Sequence, residues 1–540
     1  MVGAGDNPRK RVEWVERLGW HESYVCGKIG ERVWAGGMPC GRKRVPLTAP
    51  FFGRLVKSKL YTQTEVMKSR QHRGQDLSSE VAEALYGVSL FSGAGIGDLG
   101  WRAAGVQFLA SCELEHDRAA LAALNFPEAR HFATDINAVS DEMVEFVGAR
   151  LRGAGGELFL ISCTAPCQGM SKSGQGTLLK NIRQGKRPKL DPRNRLILPA
   201  LSIITRLRPL WVVFENVVEM RNTVIEDEDG EIRPILDIIQ DRLEPVYSGT
   251  AYDVEFADHG IGQRRQRLIT VYTRDRHAKA AYASGARLIP PCTHSRTPKQ
   301  GMKRWVSVTE ALSAFPPLDG KNEESAQGLV IPFHRVPVLD PKKYEWIRHT
   351  PPNSSAFDNQ CVNPACGYEG NRIHGTAHNS EGINQSLKDT PLFCEQCGAL
   401  LPRPFTEEPD GSLRIMSGFT SAYKRMSADL PAPTLTRNLS YPCSDHKIHP
   451  TQNRVLSLAE AMTLQTISDY RYEWGPIEVV TKQGGTKLSP VKDTLIRLVI
   501  GESIPPRYLE LLGRYIQQIS LGKIALDNAI VEQRAQLALL

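Results

Sequence analysis

Long apolar runs are missing from this chain. Nowhere in its 540 residues does one approach the roughly 18–20 needed to cross a bilayer. The opening stretch, MVGAGDNPRKRVEW, has no apolar core of the kind a secretory signal requires. Cysteine is sparse and odd in number, at 11. Without an export signal that count argues against a disulfide framework and predicts the reducing cytoplasm. There cysteines serve as metal ligands, as a nucleophile or as core filler. Internal repeats are absent too. What remains is a chain long enough for two or three domains with a real core, whose 41% hydrophobic and 23% charged residues are ordinary for a globular protein.

Acids are scarce in two places. Between 172 and 195 the chain carries Lys172, Lys180, Arg183, Lys186, Arg187, Lys189, Arg193 and Arg195 against Asp191 alone, and between 42 and 73 only Glu65 opposes the cations. The net charge of +8, spread over so many residues, points only weakly to a polyanionic partner. The clustering is the stronger signal.

Residues 1–85 read as a basic extension with Trp14, Trp20 and Trp34, ending in LSSEVAEALYG, whose spacing predicts a short helix capped by Ser78 or Ser79 and stopped at Gly87. Five short apolar runs follow: 87–93, 107–113, 157–163, 209–216 and 267–273. Amphipathic stretches such as LGWRAAG and HDRAALAALNF separate the first three. Buried strands alternating with helices predict an α/β domain with a mostly parallel sheet over 86–275. From 276 to 450 prolines, polar turns and paired cysteines dominate, so this region reads as a separate module. Helical spacing returns over 451–540, in RVLSLAEAMTLQTI and in IPPRYLELLGRYIQQI, which begins at a proline pair.

FSGAGIG sets Gly93, Gly95 and Gly97 directly after the first strand. Glycines there let backbone N–H groups approach a ligand at the carboxyl edge of a sheet, although a plain tight turn has the same look. Glu113 ends the second strand 20 residues after Gly93, where an acid would take ribose hydroxyls. Asp135, in TDI, offers a second acceptor suited to an exocyclic amine. Together they predict a nucleoside-bearing cofactor.

LFSGAGIG, Glu113, Asp135, PCQ (166–168), ENV (215–217), QRRQR (263–267), RVLSLAEAMTLQ (454–465) and GESIPP (501–506) come in that order. In order and spacing the series resembles the DNA cytosine-5 methyltransferase family, over roughly 85–275 and 420–520. The resemblance implies a Rossmann-like S-adenosylmethionine-dependent fold with a seven-stranded, mostly parallel sheet, plus a smaller, irregular target-recognition domain. It implies double-stranded DNA as substrate and S-adenosylmethionine as cofactor, held by Phe91, Ser92, Gly93, Ala94, Gly95, Glu113, Leu114, Asp135, Ile136, Leu196, Glu502 and Ser503. Phe91 would pack on the adenine and Asn216 would position the cysteine loop. The family also suggests a bacterial setting, on the nucleoid, beside other proteins of a restriction or phage-defence system and with no membrane.

The chemistry of the residues agrees. Carbon 5 of cytosine becomes nucleophilic only after a thiolate adds at carbon 6. Cys167 follows the third strand and is the candidate nucleophile. Glu215, at the end of the fourth, would hydrogen-bond ring N3 and the 4-amino group. Arg265 and Arg267, two residues apart and so pointing the same way, would supply positive charge near O2. Cys292, in IPPCT, reads as a linker residue and Cys163 as core. The segment after Cys167, GMSKSGQGTLLKNIRQGKRPKL, resembles the family's mobile catalytic loop, whose cations would grip phosphates while a base is turned out of the duplex.

Several positions depart from the family pattern. Ser89 stands where an acid often opens the first motif, Ala165 and Gly262 replace prolines, and Glu502 replaces the usual Asn at the cofactor's methionine end. A new carboxylate there would repel the cofactor's own.

Four further cysteines, Cys361, Cys366, Cys394 and Cys397, form a C-x₄-C and a C-x₂-C-G pair. Two thiolate pairs on two turns predict one structural tetrahedral Zn²⁺ over 361–400, with His374 and His378 as exposed loop histidines. Two alternatives stay open: a tRNA cytosine-5 methyltransferase of the same fold, and a catalytically silent scaffold that binds nucleic acid. Enzymes that methylate amino groups are disfavoured, since no (Asp/Asn/Ser)-Pro-Pro-(Tyr/Phe) tetrapeptide occurs.

Overall fold

The computed structural model describes residues 84–166, 190–299, 301–378, 384–386, 389–416, 422–444, 446–481 and 484–523. The chain divides into Met1–Glu80 and Val81–Leu540, and every described residue belongs to the second unit. The basic extension, the expected helix up to Glu83, the segment 167–189 with Cys167, and the last residues from 524 lie outside the described residues.

The sheet is built from β1 (Leu85–Leu90), β2 (Val106–Cys112), β3 (Arg130–Phe132), β4 (Leu158–Cys163), β5 (Trp211–Asn216), β8 (Ser248–Glu255) and β9 (Gln266–Thr273); the short β6 (Val224–Glu226) and β7 (Ile232–Pro234) pair apart as a hairpin. Its order is β3-β2-β1-β4-β5-β9-β8. The first five strands are parallel and β9 runs antiparallel between β5 and β8. This is the seven-stranded, mostly parallel sheet expected. The chain enters β1 at Leu85, so Leu85–Gly87 pair with Val106–Phe108 instead of closing a helix.

Continuous apolar runs bury both faces of the sheet, as parallel strands require. On one face pack α3 (Ile136–Ala154), α4 (Ile197–Leu207) and α5 (Ile235–Leu243), through Val139, Met143, Ile204 and Ile238. On the other lie α1 (Asp98–Ala103), α2 (His116–Asn125) and, from the far end of the chain, α8 (Leu458–Leu464), α9 (Asp493–Glu502) and α10 (Pro506–Ser520), through Trp101, Leu121, Leu464, Ile500 and Leu512. Ser457 and Glu460 form a reciprocal capping box that starts α8.

Residues 276–450 do not stand wholly apart. Val308, Leu312, Met426 and Leu435 join the core shared with the sheet. A smaller core of Trp346, Ile347, Phe357, Leu392, Tyr423 and Ile448 forms next to it, with Trp346 and Ile347 supplied by α7 (Pro341–Arg348), while α6 (Arg276–Ala283) packs on the shared core through Ala278. Regular ladders are short here, so side chains take over the backbone's hydrogen bonds. The buried Arg425 guanidinium donates to the carbonyls of Ile347, Thr350, His449 and Gln452 and to Asn453 Oδ1. The buried Arg403 donates to those of Asn359, Arg372 and Pro391. Burial pushes both guanidinium groups down to about 10. His374 corrects an expectation: it is buried, stacked on Phe357 at 4.6 Å, with Nδ1 2.6 Å from Thr390 Oγ1.

Among the described residues no helix is long and apolar enough to cross a membrane. One close approach fixes α1 against α10: a Cβ on Gly100 would fall 2.0 Å from the Pro506 carbonyl oxygen and 2.8 Å from the Glu510 nitrogen. Both are backbone atoms, which cannot swing aside. Gly100→Ala should therefore destabilise the fold by about 3 kcal/mol, the upper part of the range for overpacking, read as a lower denaturant midpoint with an unchanged slope.

Candidate active site

The strand order reverses between β1 and β4, so the loops that leave their carboxyl ends diverge and open a crevice. A cavity of about 340 Å³ lies there. Its floor is the glycine turn. Phe91, Gly93 and Gly95 have φ of 57°, 54° and 71°. The left-handed region suits the glycines, and Phe91 tolerates it as a strained residue of the kind that collects at functional sites.

Glu113 is fixed from two sides. Its Oε2 accepts from Gly93 N and its Oε1 from Glu115 N, both at 2.9 Å. Each oxygen retains a lone pair for a diol. Asp135 caps α3 through Asn137 N at 2.8 Å. Phe91, Leu114, Ile136 and Leu196 give the cleft apolar wall, and Leu114 is 60% exposed, a surface that a flat base would cover. Ser92, Ala94, Glu502 and Ser503 also line the cleft. Gly95 does not: its Cα faces Phe126 and Ala122, so it serves the turn and the packing of α2.

At the other end Thr164 N donates to Leu90 O at 3.1 Å and Thr164 Oγ1 to Phe91 O at 2.7 Å. Asn216 Nδ2 donates to Ala165 O at 3.1 Å. The backbone is thus tied down until Pro166, which lines the cleft immediately before Cys167. Glu215 faces the same space and pairs with Arg267 Nε at 2.8 Å.

Arg265 departs from expectation. It is buried and away from the cleft lining. Its Nη1 donates to Leu435 O at 3.0 Å and its Nη2 to Gly501 O at 3.2 Å, in the last turn of α9. The alternation rule holds only inside a strand, and β9 begins at Gln266. Gln263 is likewise structural: its Nε2 donates to Gln465 Oε1 at 2.6 Å, and its Oε1 accepts from Leu435 N at 2.9 Å.

Sequence reasoning passed over Asp98, Thr164, Arg118 and Arg193, all of which line the cleft. For Asp98 a signal existed, since it follows the glycine turn directly. Ser89 Oγ donates to Asp98 Oδ1 at 3.0 Å, so the acid absent from Ser89 on the strand is supplied across the turn by the helix.

Within residues 276–450 the four cysteine sulfurs lie within 4.8 Å of one another. Cys361 and Cys397 are 3.7 Å apart, Cys366 and Cys394 3.9 Å. A tetrahedral zinc with bonds of about 2.3 Å needs sulfur separations of about 3.8 Å. Gly367 and Gly398, each after the second cysteine of its pair, have φ of 57° and 73°, the backbone that folds each turn into a knuckle.

The family profile of C-5 cytosine-specific DNA methylases matches residues 85–518. The chain belongs to that family. Members depend on S-adenosylmethionine, and their substrate is DNA. The chain is 27% identical over 447 residues to the type II methyltransferase M1.HgaI of Avibacterium volantium, covering 80% of this chain and 98% of the relative. It is 24% identical to a putative type II methyltransferase of Oceanobacillus iheyensis, covering 71% and 88%. Among solved structures a putative DNA modification methyltransferase from an E. coli prophage aligns over 81% of this chain and 99% of its own, at 18% identity and a TM-score of 0.43.

In this cleft Asp98 is an ionisable group with an unusual environment. Burial pushes its carboxyl from 3.8 up to about 7, while the Ser89 hydrogen bond and the Arg102 charge pull it down; the buried Tyr472 hydroxyl, bonded to Ala94 O, lies within its field. A raised carboxyl means that the folded state holds a proton the unfolded chain has released. Its cost is therefore absent below about pH 4, grows as pH rises to about 7 and is constant above. At about 1.4 kcal/mol per pH unit the total is at most ~4 kcal/mol. Urea titrations of cofactor-free protein should show stability falling across that window, with the slope reduced in Asp98→Asn.

Proposed function

We propose that this protein methylates carbon 5 of cytosine in double-stranded DNA, with Cys167 as nucleophile, as the modification enzyme of a type II restriction–modification system. The observation that carries this reading is the convergence, in one crevice, of the Glu215–Arg267 pair, the Glu113-anchored glycine turn and the tethered Thr164-Ala165-Pro166 that leads into Cys167. The printed names of the relatives support the type II setting, and with it a cytoplasmic, nucleoid-bound enzyme working beside a partner endonuclease.

The residues divide the work. Phe91, Leu114, Ile136 and Leu196 would receive the adenine, Asp135 its amine and Glu113 the ribose. Bound S-adenosylmethionine supplies an electrophilic methyl group. The Cys167 thiolate adds to carbon 6 of an everted cytosine. Glu215 holds a proton at N3, which lets the ring become an enamine with nucleophilic carbon 5. Arg267 fixes the Glu215 carboxylate in one orientation. Once carbon 5 carries the methyl group, its proton passes to solvent, the carbon 6–sulfur bond breaks to release the Cys167 thiolate, the N3 proton returns to Glu215, and the ring is aromatic again.

Residues 276–450 read as the DNA-recognition region, with Cys361, Cys366, Cys394 and Cys397 holding a structural zinc that has no open position for water.

Cys167→Ser should abolish transfer of tritiated methyl to DNA while DNA binding persists, and Glu215→Gln should lower the rate about 10²–10⁴-fold. Bisulfite sequencing of genomic DNA from expressing cells reads the activity and the site together. Near wild-type incorporation by the serine variant rules out the nucleophile. For the metal, elemental analysis of purified protein should find about one zinc per chain, lost on Cys394→Ser. A zinc-free protein whose recognition region still folds refutes the ribbon.

A further inference from the structure

Glu502 is the departure that threatens cofactor binding most, and its surroundings answer it. Three described cations line the cleft: Arg118, Arg193 and Arg267. Arg267 is engaged with Glu215, and Arg193 with Asp191 at the start of the short turn before α4. Arg118, on α2, reaches across to the end of α9. Its Nη2 lies 3.1 Å from Glu502 Oε2 and its Nη1 3.6 Å from Glu113 Oε1. Its Nε is buried with no hydrogen-bond partner among the described residues.

The charge balance around this guanidinium is acidic. Glu113, Glu115 and Glu502 all line the cleft beside it. Burial and the two neighbouring carboxylates push the Glu502 carboxyl up, and Arg118 pulls it down. A nucleoside cofactor that ends in an amino acid must bring one more carboxylate into this space. Without the Arg118 cation beside them, three carboxylates would repel that group.

We propose that Arg118 is the specificity residue for the carboxylate of the cofactor's amino-acid end, and that Glu502 is its positioning partner, the ion pair standing where a single neutral amide would otherwise serve. The proposal rests on the cofactor reading above. Glu502 holds the guanidinium at the cleft wall, so that it is not drawn wholly onto Glu113, and Arg118 in turn screens Glu502. Arginine suits the task because its planar fork can serve several carboxylates at once.

Two ligands separate this role from a merely structural one. S-adenosylhomocysteine carries the amino-acid end; 5′-methylthioadenosine is the same nucleoside thioether without it. By calorimetry on the full chain, Arg118→Met should weaken S-adenosylhomocysteine about tenfold or more and leave 5′-methylthioadenosine unchanged. Adding Glu502→Asn to that variant should recover most of the loss, because the unscreened carboxylate has gone. Equal weakening of both ligands, or of neither, overturns the assignment of Arg118. Selective weakening with no recovery in the double variant overturns its pairing with Glu502. Failure of the wild type to bind either ligand would remove the cofactor reading itself and this inference with it. Binding of 5′-methylthioadenosine also reports that each variant is folded.

Discussion

The parallel pairing of β1 with β4 is the constraint on which the site depends. Ser89 pairs with Ser162 and Leu90 with Cys163, and from that seam the strand order runs in opposite directions, β2 and β3 to one side and β5 to the other. The chain leaves β1 through the glycine turn and β4 through Thr164, and the two exits are stitched together by Thr164 N to Leu90 O and Thr164 Oγ1 to Phe91 O. One seam thereby fixes the distance between the glycine turn and Thr164-Ala165-Pro166. Asn216, from the next strand, adds the third tie.

Around that seam the carboxylates are kept apart by what each one accepts. Glu113 is committed to backbone N–H groups of Gly93 and Glu115, Asp135 to the start of α3, Asp98 to Ser89, Glu215 to Arg267 and Glu502 to Arg118. These five of the crevice's acids would repel each other if bare. Each instead has a donor of its own, and the crevice can stay rich in acceptors for a cofactor with a cationic sulfur without collapsing or filling with counterions.

Much of this was legible in the sequence because apolar runs and short motifs report local constraints. The strands at 107–113, 157–163, 209–216 and 267–273 needed only a buried sheet to explain them, and FSGAGIG needed only a turn with positive φ. The two thiolate pairs were legible because metal spacing is local on each turn. What the sequence could not report was partnership across distance. Nothing near Arg118 announces a residue 384 positions away. The burial of His374 was hidden for the same reason: its stacking partner Phe357 and its hydrogen-bond partner Thr390 lie in different turns of an irregular region.

Arg265 is the instructive misreading. Spacing two residues from Arg267 placed both on one face, and a cation beside a reactive acid invited a catalytic role. The chain resolves the pair differently. Arg267 lies within β9 and its side chain crosses to Glu215 on the neighbouring strand. Arg265 lies just before β9, where its N–H donates to Glu255 Oε1 at 2.7 Å and its guanidinium turns to the carbonyls that end α9. Helix carbonyls at a carboxyl terminus are unpaired and carry the negative end of the dipole, so a buried arginine is well matched to them. That contact, with Leu435 O, joins the sheet, the 276–450 region and the returning C-terminal segment at one point. Because Gly501 is the residue before Glu502, Arg265 acts on the cleft all the same: it anchors the helix end that presents Glu502 to Arg118. Two cations of one short motif thus serve the two ends of the crevice, one by touching it and the other by holding its wall.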